Sequence, residues 1–154
     1  MLIERPTDAD VMFVLNNAWS GQHAELAAMR RPQESMSEYA QRMVRMSAIT
    51  HALYRESVPY CVGGMWLEGR HVAGTWLIHS EEALQYHPYI VLAVRRLMRN
   101  MAKLADVHTF QATTLEHEKT ARFYKALGMS KVCDLPGEGT NGETLALYER
   151  RGVT

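Results

Sequence analysis

"EKTARFYKALGMSKV", residues 118–132, reads as a short helix that stops at a glycine and turns at once into a strand. An acidic residue opens it, helix formers fill its middle, and Gly128 stands where the residue after a helix adopts a left-handed conformation. Tyr124 lies four residues before that stop. Beyond it, "SKVCDL" and "ETLALY" flank an Asn141-Gly142 turn signal, so the chain closes with a helix and a hairpin.

Upstream, "VHTFQATT" (107–114) reads as a short strand and "PYIVLAVRRLMRNMAKLA" (88–105) as a long amphipathic helix. Pro88 is tolerated in its first turn. Ile90, Val94, Leu97, Met101 and Leu104 share one face, and Arg95, Arg96, Arg99 and Lys103 form a solvated one. "VPYCVGGMWLEGRHVAGTWLIHS" (58–80), rich in Val, Trp and Tyr, predicts two antiparallel strands with Glu68-Gly69 as the tight turn. Before it, "SMSEYAQRMVRMSAITHALYRES" (35–57) predicts a helix opened by a Ser35/Glu38 capping box, with Met36, Tyr39, Ala40, Met43 and Val44 at helical spacing. "SGQHAELAAMRRPQES" (20–35) reads as a short helix or loop ended by Pro32. The opening, "LIERPTDADVMFVLNNAW" (2–19), reads as a strand and then a helix capped by Thr7 and Asp10 and carrying Val11, Val14 and Leu15. Strand, two helices, hairpin, helix, strand, helix and hairpin make an α/β or α+β sandwich around one mixed sheet.

Bulk composition narrows the function. A chain of 154 residues with 47% hydrophobic content predicts a single domain, 1–154. Lys plus Arg equals Asp plus Glu at 17 each, which disfavours nucleic acid and anionic membranes as partners. Charges occupy the N-terminal stretch where a signal peptide needs apolar residues, and the apolar runs are short, so a cytoplasmic protein without membrane spans is expected. Cys61 and Cys133 lack metal-site spacing and are expected as buried small apolar residues. The seven histidines show no H-x₃-H pair, so no metal site is expected. Composition leaves the oligomeric state open.

"AxxFYxxxG" (Ala121, Phe123, Tyr124, Gly128) between a short strand and a final hairpin resembles the last helix of the GNAT family, the acyl-CoA-dependent N-acyltransferases. The order of elements is similar along almost the whole chain. The resemblance implies a mixed, mainly antiparallel central sheet flanked by helices on both faces. It also implies that Tyr124 protonates the departing coenzyme A thiolate, and that His117, where the family often has a cofactor-binding asparagine, faces the cofactor. His79 and Ser80 end a predicted strand; there His79 is placed as a base acting through a water and Ser80 as a cofactor contact.

The joint before the long helix departs from the family. Its pyrophosphate loop resembles Q/R-x-x-G-x-G/A, whereas this chain has "HSEEALQYHPYI" (79–90), with no glycine, two carboxylates at Glu81 and Glu82, and Pro88 removing an amide donor. Weak or absent binding of acetyl-CoA or another acyl-CoA is therefore expected. "PYCVGGMW", the glycine-poor joint, the basic helix and "FYKALGM" are together similar to small GNAT-like proteins encoded by tailed bacteriophages, some carried inside the virion. That resemblance implies a host-cytoplasmic or virion protein that binds a host enzyme or a phage protein. The alternative is an active N-acyltransferase moving an acyl group from acyl-CoA to an amine. For the binding reading, Trp66, Trp76, Tyr86 and Tyr89 are expected to wall one cleft and offer an aromatic docking surface.

Overall fold

The computed structural model describes residues 2–153. Two capping boxes set helices in its first third. The Thr7 hydroxyl accepts from the Asp10 amide at 3.2 Å and the Asp10 carboxylate accepts from the Thr7 amide at 2.7 Å, starting α1 (Asp8–Asn16). Ser35 and Glu38 repeat the arrangement at α3 (Met36–Met46), and α2 (Ser20–Met29) between them starts without a side-chain cap.

The helix expected to continue past Met46 instead gives way to a strand. Ile49–Arg55 is β2, paired with β1 (Leu2–Glu4) on one side and β3 (Val58–Gly69) on the other. Burial of Ala52, Leu53 and Tyr54 in the sheet decides the matter, because a short apolar run such as "ITHALYR" suits either period. The expected turn at Glu68-Gly69 also moves. β3 continues to Gly69 through an irregularity after Leu67, and Arg70-His71 make the turn into β4 (Val72–His79), with His71 at φ 70°.

A 3₁₀ turn, Glu82–Tyr86, leads into α4 (His87–Ala105), followed by β5 (Thr109–Leu115), α5 (Glu118–Ala126), β6 (Ser130–Leu135) and β7 (Leu145–Arg151). The sheet has seven strands in the order β1-β2-β3-β4-β5-β7-β6; β4–β5 is its one parallel pair. It is the mixed, mainly antiparallel sheet with helices on both faces that the resemblance implied.

Helices α1 to α3 cover one face, where Val11, Val14, Leu26, Tyr39 and Met43 pack with Val62, Trp76 and Ile78. On the other face, α4 and α5 bring Ile90, Ala93, Phe123 and Tyr124 against Leu53, Cys61 and Ala112, while Met98 and Met101 meet Met65 and Phe110. Phe110, Ile78 and Ile90 are fully buried, each stabilising the fold by about 1.5–3 kcal/mol. The buried stripe of α4 runs through Ala93, Met98 and Ala102; Leu104, expected on it, is 86% exposed. Cys61 is buried, and burial pushes its thiol up, whereas Cys133, expected to be buried, is exposed on the edge strand β6.

Gly128 ends α5 at φ 79°, with the Met129 amide donating to Tyr124 O at 2.9 Å and Arg150 Nη1 donating to Leu127 O at 2.9 Å. A Cβ there would meet Arg150 only at 3.5 Å, an ordinary contact, so the demand for glycine is conformational. Gly128→Val should lower stability by about 1–3 kcal/mol. Chemical denaturation measures it, and an unchanged midpoint would refute the need for glycine.

Candidate active site

The parallel ladder between β4 and β5 has three rungs, Val72↔Thr109, Ala73↔Phe110 and Gly74↔Gln111. Thr75 Oγ1 then donates to Gln111 O at 3.0 Å, and pairing stops. Past that point β4 follows β3 as far as Cys61↔His79 and β5 follows β7 as far as Leu115↔Leu145, so the two strands part and the sheet opens.

Glu25, on α2, lines this gap from one face, and Gln22 one turn earlier donates to its Oε2 at 3.3 Å. Burial pushes the Glu25 carboxyl up to about 7, with the Thr114 hydroxyl beside it pulling the other way. Tyr124 reaches the same gap from α5. Burial and, after it, the negative charge of Glu25 hold its phenol well above the usual value, so it stays protonated. Its ring stacks on Tyr148, with centroids 4.8 Å apart.

Two cavities converge on this pair. One, on the α2 side, is bordered by Tyr39, Trp66, Glu68 and Gln111; the other, between the first turns of α4 and α5, by Trp19, His79, His87 and Lys119. Gln22, Glu25, Leu77 and Tyr124 belong to both.

Of the residues singled out from sequence, Tyr124 and His79 share the second cavity. His79 is buried and stacked on Trp19, centroids 6.0 Å apart; burial depresses it to about 4, so its ring is neutral near pH 7. Ser80 and His117 are engaged as caps. The Ser80 hydroxyl accepts from the Ala83 amide at 3.3 Å at the start of the 3₁₀ turn, and His117 Nδ1 accepts from the Lys119 amide at 3.1 Å at the start of α5. The Ser80, Glu81, Ala83 and Leu84 amides donate to Tyr60, Asn17, Ser80 and Glu81 carbonyls, while the Glu81 and Glu82 side chains are exposed.

Trp19 crosses the mouth of this cavity between His79 and His117, with Lys119 Nζ 5.2 Å from its ring centroid. Neither Trp19 nor Glu25 is marked by any motif. A glutamate in "SGQHAELAAM" gives no sign that its helix lies over a break in the sheet.

The four aromatic residues expected to wall one cleft are divided between faces. Trp66 and Trp76 pack with α1 and α3, and Trp76 Nε1 donates to Ser47 Oγ at 2.7 Å. Tyr86 packs on the opposite face against Tyr60 and the Arg55 guanidinium, and Tyr89 beside it is 58% exposed. Trp66 and Trp76 sit on β3 and β4, whereas Tyr86 and Tyr89 follow in the 3₁₀ turn and the first turn of α4, and apolar runs alone do not show to which face the chain turns on leaving β4. Among the described residues no helix is long and apolar enough to cross a membrane.

No protein-family model matches the chain, and no curated protein matches it in sequence. Solved structures do. A mutant spermidine N-acetyltransferase SpeG from Vibrio cholerae superposes with a TM-score of 0.70 at 11% identity, covering 98% of this chain and 95% of that one. Ribosomal-protein-S5-alanine acetyltransferase from Vibrio fischeri gives 0.70 at 15% identity, over 97% and 92% of the two chains. An acetyltransferase of the GNAT family from Bacillus anthracis gives 0.70 at 12%, over 97% and 93%. The chain has the GNAT fold.

Glu25 should leave a signature in stability. Its carboxyl rises from 4.5 to about 7 on folding. Between those values the folded state keeps a proton that the unfolded chain has lost, so this group makes stability fall as pH climbs through that window. His79, depressed from 6.5 to about 4, acts in the opposite sense, with stability lost as pH drops through that interval. Glu25→Gln should therefore gain on the order of 1–3 kcal/mol over wild type near pH 8 and little near pH 4.5. Urea denaturation at both values is the check, and parallel curves would mean a solvated carboxyl.

Proposed function

We propose that the protein is an N-acyltransferase that joins an acyl thioester and an amine at the break between β4 and β5. The convergence of two cavities on Glu25 and Tyr124 carries this reading. The amine enters on the α2 side, where Glu25 and Glu68 favour a cation, and the thioester enters between α4 and α5. The nitrogen attacks the carbonyl carbon, a C–N bond forms and the C–S bond breaks. Glu25, raised to about 7, suits the base that takes the ammonium proton; Tyr124, held protonated, suits the donor that meets the leaving sulfur. The acetyltransferases of like fold that act on spermidine and on ribosomal-protein alanine make a polyamine and an N-terminal amine reasonable first acceptors.

One observation favours a second reading. The Ser80, Glu81, Ala83 and Leu84 amides are engaged within the chain, the Glu81 and Glu82 carboxylates are exposed there, and Trp19 borders the cavity, a poor cradle for a pyrophosphate. On this reading acyl-CoA binds weakly or not at all. The protein is then a phage-encoded binder of a host enzyme or phage protein, working in the host cytoplasm or carried in the virion.

Thiol release from acetyl-CoA and longer acyl-CoAs, with spermidine or an N-terminal alanine peptide as acceptor, separates the two. Tyr124→Phe should cut kcat by on the order of 10²-fold with little change in KM or in fold. A donor present at 100 times its dissociation constant should stabilise the protein by about 2.7 kcal/mol. Absence of both turnover and stabilisation would overturn the enzyme reading, and full activity in Tyr124→Phe would leave the tyrosine a structural role.

A further inference from the structure

The parallel pairing that opens the sheet at one end of β4 and β5 brings the residues preceding both strands together at the other. Val72↔Thr109 is the first rung, and His71 and His108, one position earlier on each strand, lie with ring centroids 4.9 Å apart. The end of α4 delivers Asp106 between them. Asp106 Oδ2 is 3.1 Å from His71 Nδ1, and Asp106 Oδ1 is 3.0 Å from His108 Nε2. One ligand atom from each of the three lies within 4.8 Å of the others.

We propose that His71, Asp106 and His108 bind a divalent transition-metal ion of the zinc class. Two imidazole nitrogens and one carboxylate oxygen are the donors such an ion takes, in a set that leaves a coordination position for water. The backbone holds the three in place before any ion arrives. The His108 and Thr109 amides both donate to His71 O, at 2.9 and 3.0 Å, and the Gly152 amide donates to His108 O at 2.9 Å. His71 and Asp106 also sit in left-handed conformations, at φ 70° and 53°, which glycine would adopt with less strain. All three side chains reach solvent, so an ion needs no buried entry path.

Binding exchanges existing hydrogen bonds for metal bonds. His71 Nδ1 lies 2.7 Å from Asp106 O as well as near the carboxylate, so ligation through that nitrogen gives up these contacts and requires the tautomer that carries its proton on Nε2. The bound ion would tie the β3–β4 turn, the end of α4 and the start of β5 into one cross-link.

The test is calorimetric titration of tag-free protein with ZnCl₂ alone, in a Cys133→Ser background that removes the exposed thiol, with melting temperature followed in parallel. One equivalent of Zn²⁺ should bind in the micromolar range and raise the melting temperature, and EDTA should reverse the rise. His71→Ala, His108→Gln and Asp106→Asn should each weaken binding by at least about tenfold. His23→Ala, which alters an exposed histidine outside the cluster, should bind as the parent does. Circular dichroism establishes that each variant is folded, and Asp106→Asn keeps a residue tolerant of the left-handed conformation. Absence of stoichiometric binding, or binding unchanged in folded His71→Ala and His108→Gln, would overturn the proposal.

Discussion

Three rungs of parallel pairing hold β4 to β5, and each strand then stays with its antiparallel neighbour. Pairing between them ends at Gly74↔Gln111, and the opening beyond it is the feature on which the rest of the molecule turns. An unbroken sheet would keep α2 and α5 on opposite sides of a layer, with helix axes far out of reach of one another. The break lets Glu25 from one face and Tyr124 from the other influence one another through the sheet. It also exacts desolvation of a carboxyl group, which Thr114 offsets only in part, and that residue of unfavourable energy is what places the group's titration near neutrality.

Several local features were legible in the sequence because each rests on a short-range rule. Thr7/Asp10 and Ser35/Glu38 form their boxes, Pro88 lies in the first turn of α4, and Gly128 adopts positive φ. The failures share a different cause. β2 was hidden because "ITHALYR" acquires its strand character from neighbours on both sides, and the β3–β4 turn moved by two residues because an irregularity after Leu67 shifts the register. Glu25 and the cluster of His71, Asp106 and His108 depend on topology alone. No spacing rule foresees that the residues preceding two strands 37 positions apart become neighbours, since only the parallel crossover through α4 puts them there.

The mouth between α4 and α5 shows how a small residue shapes a site at a distance. A Cβ on Gly21 would run into the Trp19 ring, so glycine two residues on is what lets the indole fold back across the cavity toward His79 and His117. Lys119 over the same ring adds a cation beside the neutral His79 ring and the aromatic residues that border the cavity. Any ligand entering from that side must displace or slide past the indole, and its anionic groups would find one ammonium in place of a ring of amides.

The two thiols report on different scales of motion. Cys133, exposed on the edge strand, meets solvent in the native state, while Cys61 lies in the interior strand β3 beneath α4 with its thiolate disfavoured by burial. A maleimide reagent would therefore label the first at once and the second only when the strand and its covering helix come apart. The slow phase would measure the free energy of that opening in unmodified protein, without denaturant, giving this fold a built-in gauge of its own cooperativity.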